Sequence, residues 1–451
     1  MPFSKSKKFL GKKLDKESKT LFKNSQWVFV ANIFGFVLAF FRSVILARGL
    51  GVEIFGVYTL VINFASTVLE VFNLNVGTAI IKFGAGHKTE GRMDKLFALV
   101  KGCAKASMIG FAIAIVVVGI MLKFMYGSFF NFPGLEWYTI FYSVALAISM
   151  FTLILSSSLL RLFFKFKLNA IVSMIMDVVE LALVMLAIYL YPNDLKIFFL
   201  AVIISKLFNG VVSLLFVLWE IKDELRQHIN SSVELLKEQS REIKSFVITN
   251  SLSGTLKTLI NKGDILILGA IGTPAMIGFY SIAKKLAFSI LAVTDPLMTA
   301  IFPQLSKLVA EKKYTETKLM LRKTTALFLV PGIAAITIIF FLRKWIIVTV
   351  FGNEYLPAAE PFFFLMITAL LIAVFFWNLS MIQSLGLIKL RFIVYMLAII
   401  FGGGSSYLLI PYWGATGSAV GLLIAYAIIT VGFVGKSWQK LNHLESSLIK
   451  V

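Results

Sequence analysis

The sequence predicts an all-α polytopic membrane protein of about twelve transmembrane helices, built by duplication. Three observations support this. Hydrophobic residues make up 59% of the 451, mean hydropathy is +0.88 and only 15% of residues are charged, a balance that would leave a soluble domain with too much apolar surface in water. Twelve apolar runs approach the ~20 residues a helix needs to cross a bilayer. They cover 26–49, 56–82, 98–122, 138–160, 169–190, 197–219, 246–270, 276–303, 324–350, 361–386, 392–410 and 415–435. Finally, LARGLGVEIFGVYTLVINFAS at Leu46–Ser66 returns 222 residues later as LGAIGTPAMIGFYSIAKKLAF at Leu268–Phe288, matching Gly56 to Gly278, Tyr58 to Tyr280 and Ala65 to Ala287.

The net charge of +21 would suggest nucleic acid in a soluble chain. Here it follows from topology. In the connections and toward the ends of the runs, 32 Lys and Arg fall on one side and five on the other: Arg48, Lys123, Lys196, Arg343 and Lys344. By the positive-inside rule the rich side is cytoplasmic, which places both termini there in a multi-pass protein of the cell membrane. The expected division is a basic N-terminal segment 1–24, a first lobe 25–219, a cytoplasmic linker 220–245, a second lobe 246–435 and a tail 436–451. The leader lacks the short apolar core and cleavage site of a signal peptide. It reads either as a basic amphipathic segment on anionic headgroups or as a solvated positive tail. One cysteine, Cys103, excludes an intrachain disulfide. The three histidines fall in the predicted cytoplasmic segments, so no metal centre or cofactor is expected.

In chain order, helix 1 carries Asn32, Gly35, Ala39 and Arg42 on one face, and helix 2 carries Thr59, Asn63, Ser66, Glu70, Asn73 and Gly77 on one face. A charge facing lipid costs about 2.5–3.5 kcal/mol at mid-membrane on insertion scales, so both stripes should face protein or water. Helices 3 to 6 are apolar apart from Asp177 and Glu180 on helix 5 and Lys206 on helix 6. Their similar depths allow an intralobe ion pair or a proton or cation site. Tyr126–Gly127 and Phe351–Gly352 close helices 3 and 9 on the outside. Helices 7 and 8 repeat the first pair with more charge. Gly254, Lys257, Asn261 and Asp264 occupy the places of Asn32, Gly35, Ala39 and Arg42, while Ser281, Lys285 and Asp295 occupy those of Thr59, Asn63 and Asn73. Pro296 should kink helix 8. In the last helices, YWGATGSA at Tyr412–Ala419 is a tight outer turn leading into a small-residue face suited to close packing.

The candidate cavity residues are therefore Arg42, Asn63, Glu70, Lys257, Asn261, Lys262, Asp264, Lys284 and Lys285, with Asp177, Glu180 and Asp264 as possible coupling-ion groups. Arg42 has three open readings: snorkelling, a structural bridge to Asp264, or part of a cationic cavity for an anionic headgroup such as a pyrophosphate. Lys257 has a snorkelling alternative. Lys284 and Lys285 are adjacent and diverge by about 100°, so at most one faces the cleft centre. No phosphate-binding glycine loop, metal cluster or paired-carboxylate motif suggests an enzyme.

FRSVILARGLGVEIFGVYTL, GFYSIAKKLA with FPQLSKL at Phe302–Leu308, and the closing PYWGATGSAVG resemble polysaccharide-export flippases. These belong to the multidrug/oligosaccharidyl-lipid/polysaccharide exporter superfamily. The resemblance implies two six-helix lobes related by a pseudo-twofold along the membrane normal, a central V-shaped cavity lined by the first two helices of each lobe, and alternating access. It also implies a polyprenyl-pyrophosphate-linked oligosaccharide as substrate, flipped to the outer leaflet. The expected partners are that glycan lipid, membrane lipids and a polysaccharide polymerase or glycosyltransferases, and no nucleic acid. Twelve spans favour the polysaccharide branch over peptidoglycan-precursor relatives, which typically have fourteen. Export of a peptidoglycan precursor or ion-coupled drug efflux stands as the alternative. A membrane-embedded glycan polymerase or glycosyltransferase would want a larger acidic outer loop, and a non-transporting scaffold is the remaining alternative.

Overall fold

The computed structural model describes residues 3–125, 135–191, 194–228 and 231–449, and all the elements among them are helical. The first lobe comprises α1 (Phe3–Val71), α2 (Val76–Thr89), α3 (Met93–Met125), α4 (Leu135–Leu162), α5 (Phe166–Leu190) and α6 (Leu195–Glu220). The link contains α7 (Lys222–His228) and a 3-10 turn at Val233–Gln239. The second lobe comprises α8 (Ser240–Ile271), α9 (Pro274–Phe288), α10 (Leu291–Ala310), α11 (Tyr314–Phe351), a 3-10 turn at Asn353–Ala358, α12 (Ala359–Val374), α13 (Asn378–Ser384), α14 (Ile388–Trp413) and α15 (Ala415–Ile449). Tyr126–Gly127 and the side chains of Asp295 and Pro296 lie outside the described residues.

Nine segments among the described residues are long and apolar enough to cross a membrane. The count is compatible with twelve passes. Gln26–Val71 alone runs 46 residues, about 69 Å at 1.5 Å per residue and twice the ~30 Å hydrocarbon core. It folds back at Gly51, whose φ of 71° and ψ of 172° are non-helical. Glycine reaches that conformation without the Cβ clash that other residues would meet. The charged α8, and the rod that α9 and α10 share, supply the remaining two.

Three predicted continuous helices are interrupted. Helix 2 breaks at Phe72–Asn75, where Asn75 is left-handed at φ 45°. Helix 8 is interrupted at Ser289–Ile290, earlier than Pro296, which stands within α10. Helix 10 breaks after Val374 and resumes at Asn378.

The lobes meet most closely where α1, just past its bend, crosses α9. A Cβ on Gly56 would lie 1.8 Å from the Pro274 carbonyl oxygen, and one on Gly278 would lie 2.6 Å from the Val52 carbonyl oxygen. Gly56 and Gly278 are repeat mates, as are Val52 and Pro274, so the junction is the duplication meeting itself across its pseudo-twofold. Around it lies the main core, with Phe64, Tyr280, Phe351 and Tyr355 each at most 2% exposed. Arg48 tightens this end by donating to the Val350 and Thr349 carbonyls at 2.9 and 2.6 Å. Those are carbonyls of the α11 C-terminus, which lack helical partners and carry the negative end of the dipole. Tyr355 donates to the Ala47 carbonyl at 2.9 Å. The outward faces leave Val116, Leu186, Val330 and Leu408 exposed, as a wall against lipid does. α14 and α15 approach closely through Gly402 and Gly421, the contact expected of the small-residue face.

Candidate functional site

The polar stripe of α1 turns toward α5. Arg42 pairs with Glu180, and Lys206 of α6 donates to both Glu180 oxygens at 2.9 Å. Glu180 is 8% exposed, so one buried carboxylate holds two cations contributed by different helices. Asp177, one turn earlier, packs over Gly35, where a Cβ would stand 2.8 Å from its Oδ2. Among the described residues it has no ion pair, although Arg42 and Lys206 lie within its electrostatic reach. Tyr58 and Tyr142 are buried beside Arg42.

The equivalent position in the second lobe is built with opposite sign. Asp264, 5% exposed, accepts from Tyr280 and from Lys284, and Lys284 also donates to the Asn261 carbonyl at 2.6 Å. Arg42 and Asp264 therefore form no bridge. Each is satisfied inside its own lobe by a partner on a neighbouring helix, and the bridging alternative falls. Asp264 points into the lobe and does not line the cleft.

Between the lobes, Lys262 donates to Glu70 at 2.6 Å and to Ser66 at 3.1 Å, and Thr258 donates to the same carboxylate at 3.2 Å. Thr255 reaches the Val71 carbonyl at 3.1 Å, just before the helix break. Farther from Gly51, Lys82 pairs with Glu242 at 3.6 Å and lies over Phe83 and Phe246. The diverging lysines separate as helix geometry requires: Lys284 turns into the second lobe, while Lys285 lies within electrostatic reach of Arg42 and Glu180 in the first. No carboxylate pairs with Lys285 among the described residues.

The Asn63 side chain turns back to donate to the Thr59 carbonyl at 2.8 Å and contacts none of these charged groups, while its own carbonyl accepts from Ser66 at 3.2 Å. Lys257 and Asn261 are not part of the inter-lobe group either. With Lys284, Asn378, Tyr395 and Tyr426 they line a chamber of about 360 Å³ inside the second lobe. Tyr426 donates to the Asn261 side-chain oxygen. Asn63, Glu70, Lys257 and Asp264 thus do not share one surface. Sequence reasoning missed the tyrosine partners. The usable signal was that Tyr58 and Tyr280 keep one register in both halves, each close to the charged residue of its lobe. Among the described residues no His, Cys, Asp and Glu group could hold a metal.

This two-lobed, helix-duplicated membrane fold is the one shared by solved MATE transporters. The chain belongs to the polysaccharide biosynthesis protein family, whose pattern matches residues 45–360. No curated protein sequence matches it. Among solved structures it is similar to a multidrug resistance MATE family transporter of the MOP superfamily in its inward-facing conformation, with 14% identity over 91% of this chain and 95% of that one and a TM-score of 0.68. It is also similar to a mutant form of the Vibrio cholerae MATE transporter VcmN, with 16% identity over 95% and 98% and a TM-score of 0.61. At those identities the likeness establishes the fold.

Proposed function

We propose that the chain flips a polyprenyl-pyrophosphate-linked oligosaccharide from the cytoplasmic to the outer leaflet of the cell membrane, by alternating access, in the service of polysaccharide assembly. The observation that carries this reading is Lys285, which pairs with no carboxylate among the described residues while its neighbour Lys284 turns to Asp264, and which lies within electrostatic reach of Arg42 and Glu180 of the opposite lobe. A pyrophosphate entering there would meet a point charge from one lobe and a planar, bidentate donor from the other. Glu70, Glu180 and Asp264 are each engaged by Lys or Arg, which leaves little free carboxylate to receive a cationic drug. The family match supports the same choice. Asp177, unpaired beside this group, is the coupling-ion candidate. With both termini cytoplasmic, the Gly51 end faces outward, and a glycan polymerase would receive the product there.

The test is reconstitution in liposomes with a defined polyprenyl-pyrophosphate oligosaccharide, scoring its movement between leaflets. A charge-assisted hydrogen bond is worth roughly 1.5–3 kcal/mol, so Lys285→Ala should weaken headgroup affinity about 10- to 150-fold. A Lys285→Ala protein that accumulates normally and flips at the native rate sinks the reading.

A further inference from the structure

We propose that the groove between the first turns of α11 and the last turns of α15 binds the phosphate headgroup of an anionic phospholipid, outside the transport cleft. The groove has a volume of about 400 Å³ and is lined by Lys318, Arg322, Trp438 and Asn442. The Arg322 guanidinium stands 5.5 Å from the centre of the Trp438 ring. This cation–π contact holds the guanidinium over the ring while leaving N–H groups to meet an anion. No carboxylate pairs with Arg322 among the described residues. Lys318 is held on one side by Glu445, which also accepts from Thr315 at 2.5 Å. An ammonium has three donors, so this anchor positions Lys318 without using it up. Lys323 and Lys436 lie within a turn of these residues, and the local excess of charge is positive.

A lipid fits better than free phosphate because of what lies alongside. On α11, Leu329, Val330 and Ile333 follow Arg322 by seven, eight and eleven residues, on nearly the same face. They are 40%, 70% and 55% exposed. On α15, Val431 precedes Trp438 by seven residues and is 72% exposed. Together the two helices present a cationic end, with the Trp438 ring of α15, that continues into apolar surface toward mid-membrane. That order matches a headgroup above its acyl chains, with Trp at the interface. The site sits at the end of the bundle opposite Gly51, the level at which the basic residues concentrate.

Native mass spectrometry of the purified full chain, given equal phosphatidylglycerol and phosphatidylcholine, tests this. Wild type should retain phosphatidylglycerol preferentially. Arg322→Ala should lower that retention about tenfold or more, while Lys237→Ala in the linker should not change it. Arg322→Gln, which keeps the apolar stem and a polar end but loses the charge, decides the matter if Arg322→Ala fails to accumulate. Equal retention of the two lipids, or native retention by the Arg322 variants, overturns the proposal. Displacement of the lipid by millimolar inorganic phosphate would assign the groove to a soluble anion and overturn it as well.

Discussion

Replacing Gly56 with alanine probes the junction between the lobes directly. The new Cβ would stand 1.8 Å from the Pro274 carbonyl oxygen and 2.7 Å from its carbon. A carbon–oxygen contact settles at about 3.3 Å or more, so one backbone must retreat by roughly 1.5 Å. The obstructing atoms are main chain, and no side chain can rotate away. Overpacking of this kind costs about 1–3 kcal/mol, and it falls on whichever arrangement keeps α1 against α9 here. A two-state equilibrium should move about 5- to 150-fold toward separation at the Gly51 end. Gly278→Ala, whose Cβ would be 2.6 Å from the Val52 carbonyl oxygen, should act the same way but more weakly. Spin labels at Glu53 and Asn353, in a Cys103→Ser background, report the gap by pulsed electron resonance. The expected result is a longer-distance population in Gly56→Ala that is minor in wild type. Folded variants with an unchanged distribution, or a larger effect from Gly278 than from Gly56, would refute the packing argument.

Three further outcomes follow from the charged groups. Glu180→Gln strands Arg42 and Lys206 without their shared carboxylate, so the first lobe should lose about 3–5 kcal/mol, measured by thermal unfolding in detergent, and Asp177→Asn should cost much less. The Glu70–Lys262 pair is about one-third exposed on both sides, so a double-mutant cycle should give a coupling near 1 kcal/mol or below that fades with added salt. His87, on the last turn of α2, is 3% exposed with its Nε2 unpartnered. Burial holds its imidazole below the ordinary range, so the fold favours the neutral form. The associated stability is present above the unfolded value of about 6.5 and is lost as pH falls below it. His87→Asn should flatten that acid loss of melting temperature, and an unchanged pH slope would exclude His87 as its source.

The helical architecture was legible because hydropathy, the charge division and the Gly56/Gly278 repeat all point to it without tertiary information. The interruptions were not. A break such as Phe72–Asn75 costs little in local sequence terms, and its Asn-Leu-Asn signal is weak beside the apolar runs flanking it. Partner choice was legible only in part. Helix periodicity places Arg42, Glu70 and Asp264 on polar stripes but does not say which neighbouring helix faces each stripe. Lys206 with Glu180 could be read from matching depth. Arg42 with Glu180 required knowing that α1 leans on α5, and Asp264 with Tyr280 and Lys284 required knowing that α9 of the same lobe faces its stripe.

The sign reversal at one repeat position has a mechanical consequence. Arg42 and Asp264 are repeat mates, and opposite charges at one repeat position invite a bridge across the pseudo-twofold. Instead Arg42 pairs with Glu180, and Asp264 with Lys284 and Tyr280. Breaking pairs that deep costs several kcal/mol, so each lobe is stiffened from within. The ion pairs that join the lobes among the described residues, Glu70 with Lys262 and Lys82 with Glu242, are partly or largely exposed and worth about 1 kcal/mol or less each. The repeat does not even reproduce the first of them. Phe40 and Ala292 stand where symmetry would put Lys262 and Glu70, and Phe40 packs edge-on against Phe351. One seam is thus held by weak charge pairs and its counterpart by apolar contact, while the strong electrostatics stay inside the lobes. At the Gly51 end Arg48, Tyr355 and the shared core tie the lobes together. Away from it, strong pairs within each lobe and weak ones between them are the energetic condition for the two bodies to rock about that end at the cost of a few kcal/mol.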